Sequence, residues 1–287
     1  MIISKPKFWD KKKGFLSTLL YPLSLIFQIV LFLKKKISNP RNFKIPVICI
    51  GNIYIGGTGK TPTSIFIAKE LYKHGKKPII IKKFYKDHFD EHCLIKQHFE
   101  NLILPKNRAD GVFKAISKGF NTIILDDGFQ DFSIHKNFNI ICFNQAQYLG
   151  NGLIFPAGPL RQKLSSLKDA DIVLINGKKD KVFEKKVLKI NKRIEFFYSN
   201  FKPNNINNFK NKKLFAIAGI GNPDNFFSTL QKYGCVIEKK LSFPDHYKFN
   251  RSEISNIVDY GLKNNLKIVT TEKDYFRIKK FDFSQIE

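Results

Sequence analysis

The stretch "YIGGTGKTPTSIF", residues 54–66, carries the strongest structural signal in this chain. It follows the apolar run "IPVICIGN" and precedes residues with helical spacing. Small residues between a strand and a helix let backbone N–H groups face a phosphate, and the start of the helix attracts the same anion. These small residues are Gly56, Gly57, Thr58 and Gly59. The stretch therefore predicts a phosphate-binding loop of the P-loop type.

The two residues after the glycines carry the chemistry of such a loop. In the pattern G-x-x-x-x-G-K-[ST], the lysine reaches the β- and γ-phosphates and the hydroxyl binds Mg²⁺. Lys60 and Thr61 match these positions, whereas Tyr54 stands where the pattern has its first glycine. Pro62 fits the first turn of a helix, where its missing N–H would have no partner anyway. The alternative interpretation is a glycine-rich turn that serves packing alone.

Two aspartates, Asp126 and Asp127, come directly after the apolar residues of "TIILDDGFQ". A magnesium–nucleotide site needs a carboxylate at the C-terminal end of a neighbouring strand. The sequence therefore predicts that Thr61, Asp126 and Asp127 bind Mg²⁺. Taken alone, two aspartates after a strand are also typical of a turn or a helix cap.

Short apolar runs alternate with helical patterns along most of the chain. This alternation predicts an α/β protein with a P-loop NTPase-like parallel sheet and helices on both faces. A polar stretch rich in Asn and Lys then leads to a smaller C-terminal α/β domain. The predicted organisation is an N-terminal membrane-associated helix with basic flanks at 1–43, a P-loop core domain at 44–195, a linker at 196–212 and the smaller domain at 213–287.

The N-terminal segment "GFLSTLLYPLSLIFQIVLFL", Gly14 to Leu33, contains no charged residue. As a helix it would be ~30 Å long, about the hydrocarbon thickness of a bilayer. Lysines at 11–13 and 34–36 flank it on both sides, which suits a helix that lies in or dips into an anionic membrane surface. We therefore expect membrane attachment; the alternative is a buried helix of a soluble domain.

The chain is strongly basic, with 50 Lys and Arg against 24 Asp and Glu and a formal net charge of +26. Such a charge attracts phosphates, nucleic acid and anionic membranes alike, so it selects no partner. The 4 cysteines are widely spaced and form no CxxC pair, which argues against a disulfide framework or a zinc ribbon. This cysteine usage fits a reducing compartment.

Two polar loops remain open to several interpretations. "KDHFDEHC", residues 86–93, is compatible with a metal cluster, an acid/base site or a solvated loop, because it shows no defined zinc spacing. "FPDHY" places Asp245 and His246 after a strand-like segment, and a single histidine in that setting is usually structural. Only a larger pattern can assign either loop a role.

Seven stretches occur in an order and spacing that resemble the tetraacyldisaccharide 4′-kinases, the membrane-associated kinases of lipid A synthesis in Gram-negative bacteria. They are "GNIYIGGTGKTP", "DDGFQ", "GNGLIFPAGPLR", "ADIVLIN", "AGIGNPDNFF", "FPDHY" and "TTEKD". The resemblance covers most of the chain. It also accounts for Tyr54, because the loop of this family has the form G-N-x-x-x-G-G-T-G-K-T-P.

The resemblance implies a reaction. The γ-phosphoryl group of ATP would pass to the 4′-hydroxyl of a tetraacyldisaccharide 1-phosphate, with Mg²⁺, at the cytoplasmic face of the inner membrane. Lys60 and Mg²⁺ would stabilise the transferring group, and Gln130 would orient the nucleotide or the metal shell. We expect no nucleic acid and no obligate protein partner.

The resemblance also implies a general base that accepts the proton of the sugar hydroxyl. Aligning "FDEHC" with the G-D-E-P motif of the family makes Asp90 that base and His246 its partner. With Asp90 in the first domain and His246 in the second, closure of a cleft would assemble the site. Arg108 and Arg161 would bind substrate phosphate.

The chain departs from the family pattern around this site. Gln162 replaces a glutamate, Asp131 replaces a histidine, and "KKFYKD" stands in place of an S-R-G-Y-G region. One alternative is therefore a degenerate kinase that binds the lipid without turnover. Another is a membrane-tethered P-loop ATPase switch that binds protein or nucleic acid, although partitioning-type ATPases carry a lysine where this chain has Ile55.

Overall fold

The computed structural model describes residues 6–11, 14–203 and 205–286. Residues 1–5, Lys12 and Lys13 of the predicted N-terminal segment, Asn204 of the predicted linker and Glu287 lie outside the described residues. The described chain forms two compact units. The large unit contains residues 6–84 and 95–200, and the small unit contains residues 85–94 and 201–286.

A parallel sheet of seven strands is the centre of the large unit. The strands are β1 (Val47–Gly51), β2 (Pro78–Lys82), β3 (Leu102–Ile103), β4 (Thr122–Asp126), β5 (Phe138–Asn144), β6 (Ile172–Asn176) and β7 (Glu195–Ser199). They lie in the order β3-β2-β4-β1-β5-β6-β7, and every pairing is parallel. All residues of β2 and β4 are buried, as expected for a sheet covered on both faces.

The helices of the described chain connect these strands in the alternation that the sequence predicts. The first five are α1 (Phe15–Ile37), α2 (Lys60–Lys73), α3 (Phe89–His98), α4 (Arg108–Ser117) and α5 (Lys181–Leu188). From β1 the chain runs to one side of the sheet through β2, β3 and β4, and then to the other side through β5, β6 and β7. Ligands of open α/β sheets bind beyond the carboxyl ends of strands at such a switch point, and the loop of residues 54–59 follows β1.

The small unit has a parallel sheet of three strands. They are β8 (Lys213–Ala218), β9 (Val236–Ser242) and β10 (Lys267–Thr270), in the order β10-β8-β9. Its helices are α6 (Pro223–Lys232), α7 (Arg251–Lys263) and α8 (Glu272–Ile278). The predicted fold class, a large parallel α/β sheet with a smaller α/β unit and an N-terminal apolar helix, is confirmed.

Two parts of the chain differ from the sequence interpretation. The polar stretch rich in Asn and Lys, which begins at Gly177 and leads to the small unit, contains α5, whose Phe183 and Val187 are buried, and β7, which pairs with β6. A few apolar residues therefore suffice to attach this stretch to the sheet, and residues 196–199 of the predicted linker belong to β7. In addition, residues 85–94 lie inside the predicted core domain 44–195 but group with the C-terminal residues.

The first helix presents its apolar side chains outward. Its two buried residues are serines, Ser17 and Ser24, whereas leucines, isoleucines and phenylalanines along its length are exposed. In the part of the chain that the structure describes, α1 is the one helix long and apolar enough to cross a membrane, judged by length and composition. This distribution is the reverse of a water-exposed helix, whose apolar face packs on the core.

Ser24 fastens α1 to a loop of the large unit. Its hydroxyl donates to the carbonyl of Ile154 at 2.7 Å and accepts from the N–H of Ala157 at 3.0 Å. Trp9 donates its indole N–H to the carbonyl of Pro156, and Phe27 packs edge-to-face against Phe155. Ser24 and Phe27 thus attach the helix to residues 154–157, and Trp9 attaches the segment before it.

We expect Ser24→Ala to destabilise the large unit by about 1–3 kcal/mol, because it leaves a buried N–H and a buried carbonyl without their hydroxyl partner. Thermal and denaturant unfolding of the purified chain in detergent would measure this change. Thr18→Ala is the matched control, since the exposed Thr18 hydroxyl donates to the carbonyl of Gly14 at the N-cap of the same helix. Equal stability of the two variants would contradict the role of Ser24.

Candidate active site

The glycine-rich loop joins β1 to α2 in a conformation that suits phosphate. Gly59, at the N-cap of α2, has a φ of 91°, a left-handed value that residues with a Cβ rarely adopt. The buried Asn52 amide donates to Thr58 Oγ1 at 2.9 Å and so fixes the interior of the loop. Sequence reasoning missed this role of Asn52, although the G-N that opens the loop motif carried the signal.

Tyr54 lies in the packed first part of the loop. Its side chain is 1% exposed and packs with Ile154 and Leu160, and its backbone forms an isolated antiparallel bridge with Leu160. The neighbouring N–H of Ile55 donates to the carbonyl of Pro159 at 2.8 Å. Tyr54 therefore anchors the first part of the loop by packing, which explains why a glycine is unnecessary there.

The Asp126 carboxylate is fully buried at the end of β4 and bonded on both oxygens. Oδ2 accepts from Thr61 Oγ1 at 3.1 Å and from Lys82 Nζ at 2.7 Å, and Oδ1 accepts from Ser64 Oγ at 2.9 Å. The structure thus brings together Thr61 and Asp126, two of the three predicted magnesium ligands. Ser64 and Lys82 had no motif to mark them, and only the parallel register Lys82↔Asp126 reveals the second contact.

Asp127 collects positive charge from two other residues. Arg161 Nη1 lies 2.8 and 3.0 Å from its two carboxylate oxygens, and Lys60 Nζ lies 3.6 Å from Oδ1. Burial alone would raise the pKa of Asp127, but the charges of Lys60 and Arg161 outweigh burial and lower the pKa well below its usual range. The residue has a φ of 55°, and such uncommon backbone conformations concentrate at functional sites.

The two arginines predicted to bind phosphate differ in their surroundings. Arg108 is 8% exposed and donates to the backbone carbonyls of Asp126 and Asp127 and to the carboxylate of Asp131. It holds the turn after β4. Arg161 is partly exposed, and its described contacts engage Nη1 alone among its side-chain nitrogens.

Gln130 links three parts of the same site. Its amide donates to the carbonyl of Asn52 at 2.8 Å and to the side chain of Gln162 at 3.0 Å. Its own oxygen lies 3.5 Å from Arg161 Nη1. The residue thus ties the end of β1 to the segment that carries Arg161. Gln162, which departs from the family pattern, is the partner in this contact.

The donor set of the large unit fits Mg²⁺. Thr61, Asp126 and Asp127 supply hydroxyl and carboxylate oxygens, the hard ligands that this ion takes together with nucleotide phosphates. The N-terminus of α2 supplies backbone N–H groups to the same place.

The small unit contains the other predicted pair, Asp90 and His246. Asp90 lies in the first turn of α3, is 1% exposed, and its Oδ1 is 3.1 Å from His246 Nδ1. For a hydrogen bond to this carboxylate, Nδ1 carries the proton and donates. His246 has a φ of 58°, the second left-handed backbone among the predicted site residues that are not glycine.

Two cations that sequence reasoning missed also face Asp90. Arg277 Nη2 donates to Oδ2, and Lys273 Nζ lies 3.5 Å from the same oxygen. Burial would raise the pKa of Asp90, but the His246 hydrogen bond and the charges of Lys273 and Arg277 lower it well below its usual range. Lys273 belongs to the "TTEKD" stretch, whereas Arg277 had no motif to mark it.

The dyad therefore lies within a single unit, and the expectation that domain closure assembles it is corrected. Residues 85–94, which follow β2 and include the first turns of α3, contact the C-terminal residues of the small unit through their side chains. Asp87 pairs with Lys248 at 2.8 Å, Asp90 bonds to His246, and Glu91 pairs with Lys273 at 3.0 Å.

His88, Glu91 and His246 also place one possible metal-ligand atom each within 4.8 Å of one another. However, the His88 and His246 rings stack in parallel with centroids 4.4 Å apart, and the Lys273 ammonium already neutralises Glu91. The described contacts of this group are hydrogen bonds, ion pairs and ring stacking, so His246 is not the isolated histidine that "FPDHY" alone favours.

Comparison with known proteins assigns the chain. The sequence model of the family described as tetraacyldisaccharide-1-P 4′-kinase (LpxK) matches residues 16–287. The chain belongs to this family. The resemblance and the kinase function predicted from the motifs are confirmed, and the ATPase-switch alternative is not favoured.

Relatives and a solved structure agree with this assignment. The tetraacyldisaccharide 4′-kinase of Pelagibacter ubique is 38% identical over all of this chain and 92% of its own length. The enzyme of Rickettsia canadensis is 35% identical, over 95% of this chain and 87% of its own. The crystal structure of LpxK from Aquifex aeolicus in complex with ATP is 22% identical with a TM-score of 0.68, over 94% of this chain and 92% of that one, and shows the same fold.

The lowered pKa of Asp90 predicts a pH dependence of stability. Such a group stabilises the fold above its unfolded pKa, and this contribution is lost as pH falls toward its lower folded value. We expect the free energy of unfolding to fall between about pH 5 and pH 2, and to fall less steeply in Asp90→Asn. Denaturant unfolding across that range would measure both slopes.

Asp87→Asn is the control for this measurement. Asp87 lies on the same segment and pairs with Lys248, but both side chains are exposed and solvent weakens their ion pair. Its slope is therefore expected to remain close to that of the unmodified chain. A slope for Asp90→Asn as steep as that of the unmodified chain would refute the assignment of this stability to the Asp90 carboxylate.

Proposed function

We propose that this chain binds ATP and Mg²⁺ in the large unit and phosphorylates the 4′-hydroxyl of a tetraacyldisaccharide 1-phosphate. The observation that supports the proposal best is the Thr61–Asp126 hydrogen bond at the start of α2, directly behind a loop in which Gly56 and Gly59 have positive φ angles. This pair is the arrangement that nucleotide-dependent phosphoryl transfer uses.

The residues of the large unit would position and neutralise the triphosphate. Backbone N–H groups of the loop and of the first turn of α2 would donate to phosphate oxygens, and Lys60 would reach the β- and γ-phosphates. Thr61, Asp126 and Asp127 would hold Mg²⁺, which when bound neutralises charge that develops on the phosphates. Gln130 would keep Arg161 and the end of β1 in register beside them.

Asp90 would accept the proton of the acceptor hydroxyl. Its low pKa keeps the carboxylate ionised near neutral pH, so the base is ready without a prior deprotonation. His246 and Arg277 hold one oxygen each, which fixes the orientation of the carboxylate. A positioned base contributes to the rate mainly when it lies within hydrogen-bond reach of the proton. In this proposal, the contribution of Asp90 rests on orientation more than on basicity.

Arg161 is the better candidate for the phosphate of the lipid substrate. It is partly exposed, whereas Arg108 is buried and bonded to the turn after β4. A guanidinium already held by a carboxylate through one nitrogen can still offer its other N–H groups to a phosphate. Arg108 would act indirectly, by holding the backbone of Asp126 and Asp127 in place.

We expect Lys60→Ala and Asp90→Asn each to lower kcat by about 10²-fold or more, because they remove phosphate neutralisation and the base respectively. Mass spectrometry of the lipid product, made by the purified chain from ATP, Mg²⁺ and tetraacyldisaccharide 1-phosphate, would measure the rate. Lys69→Ala and Asp87→Asn change exposed residues on the same two segments and should retain activity.

The outcomes separate the parts of the proposal. Activity in Asp90→Asn equal to that of the unmodified chain would reject the base assignment and leave the nucleotide site untouched. Single-turnover measurements would distinguish a slow enzyme from a degenerate one that binds lipid without product. Absence of product from the folded, unmodified chain would reject the proposed reaction as a whole.

We place the enzyme at the cytoplasmic face of the bacterial inner membrane, attached by α1. The exposed apolar surface of this helix supports membrane attachment, and the family reaction uses a lipid acceptor and cytoplasmic ATP. Anionic headgroups would meet the lysines at the C-terminal end of the helix.

The double variant Ile26→Glu/Ile29→Glu is expected to release the chain from membranes, because each carboxylate opposes insertion by roughly 2–3 kcal/mol. Cosedimentation with vesicles containing anionic lipid would measure binding. The control is Val182→Glu/Leu262→Glu, which adds the same charge at exposed apolar residues of α5 and α7. Equal vesicle binding by both double variants would refute attachment through α1.

A further inference from the structure

Lys82 is a buried cation that the proposed reaction does not use. It is the last residue of β2, it is 4% exposed, and the parallel register places it opposite Asp126. Its ammonium lies 2.7 Å from Asp126 Oδ2, in an ion pair between two buried side chains. A lysine at the end of an otherwise apolar strand is unfavourable to bury unless the carboxylate compensates it.

The position of this ammonium relative to the nucleotide site is its second unusual feature. The oxygen that it contacts, Asp126 Oδ2, is the one that accepts from Thr61 Oγ1. Thr61 and Asp126 are the residues to which we assign the divalent cation. Burial raises the pKa of the neighbouring Asp127, and the charge of Lys82 joins the larger effects of Lys60 and Arg161 in lowering that pKa. The Lys82 ammonium therefore lies against the same carboxylate that the proposed reaction requires for Mg²⁺.

We propose that Lys82 is a positioning residue that acts as a resident counter-ion for Asp126 and competes with the divalent cation for that carboxylate. This inference rests on the proposed function, because it uses the proposed Mg²⁺ ligands. The ammonium keeps the bonds of Asp126 to Thr61 and Ser64 formed when no metal is bound. It also weakens binding of free Mg²⁺, so that strong binding requires the additional negative charge of the nucleotide phosphates.

Replacement of Lys82 by an uncharged residue tests the competition directly. Without the ammonium, Asp126 is a buried and unpaired carboxylate, which destabilises the fold. A divalent cation can then take the place of the lost charge and restore stability through its binding. A lysine with a purely structural role gives the same loss of stability but no recovery with metal.

The measurement is the Tm of the full chain without nucleotide, in chelator and in millimolar MgCl2, with NaCl added to equal ionic strength. We expect the Tm of Lys82→Met to be lower by several degrees in chelator, as for a lost buried ion pair, and to recover by at least half in MgCl2. The unmodified chain should respond little to MgCl2. Isothermal titration with MgCl2 should give at least tenfold tighter binding to Lys82→Met than to the unmodified chain.

Two matched variants control for charge and for position. Lys83→Met removes the same charge from the next residue, which does not lie opposite Asp126, and its Tm should not depend on MgCl2. Lys82→Arg keeps the positive charge and should behave as the unmodified chain. Lys82→Gln, which retains a donor for Asp126, serves as a milder uncharged variant if Lys82→Met is poorly recovered.

Several results would overturn the inference. If Lys82→Met loses the same Tm in chelator and in MgCl2, Lys82 has a structural role only. The same conclusion follows if Lys82→Met and Lys82→Gln both fail to fold in either buffer while Lys82→Arg folds. If MgCl2 raises the Tm of the unmodified chain as much as that of Lys82→Met, Lys82 does not compete with the metal. The readouts are unfolding and metal binding, so they are independent of the kinase assay. If the unmodified chain is an active kinase but MgCl2 does not restore the Tm of Lys82→Met, this inference alone is rejected. If MgCl2 restores that Tm but the unmodified chain forms no product, the proposed reaction alone is rejected.

Discussion

The interaction on which the large unit depends is the compensation of one fully buried carboxylate, that of Asp126. A buried charge is tolerated only where hydrogen bonds and opposite charge replace water. Thr61 and Ser64 from the first turns of α2, and Lys82 from the neighbouring strand, provide this replacement. The same contacts join α2 to the end of β4 and β4 to the end of β2. The position of the glycine-rich loop relative to the sheet is therefore tied to the hydrogen bonds and the ion pair that compensate the Asp126 carboxylate.

The sequence predicted the elements of this arrangement better than the contacts between them. Apolar runs marked β1, β2, β4, β5 and β6, because strands buried on both faces are continuous in their hydrophobicity. The P-loop pattern marked Thr61, and the strand end marked Asp126. Lys82 carried no signal, since its contact depends on the β2–β4 register, which joins residues 44 apart in the chain.

The residues around Asp90, the proposed base, show a different limit of prediction from sequence. The resemblance to a known family marked Asp90 and His246, which the structure brings within 3.1 Å. Domain boundaries drawn from composition placed them apart, because composition cannot show that residues 85–94 leave the sheet to pair with the C-terminal chain. Arg277 lay outside every motif, yet it bonds Asp90, Asp274 and the carbonyl of Gly219. Its three partners come from separate segments, so only the folded chain reveals it.

The serines of α1 connect the exposed apolar helix to the nucleotide loop by a short physical path. Ser24 holds the backbone at residues 154–157. The following residues bond to the segment after β1, because Pro159 accepts from Ile55 and Arg161 donates to Ile53. The Arg161 side chain then reaches Asp127. A segment without regular structure keeps a precise geometry only when both of its ends are fixed. Here α1 contacts one end of the segment and the residues after β1 contact the other, so the exposed apolar helix also supports Arg161.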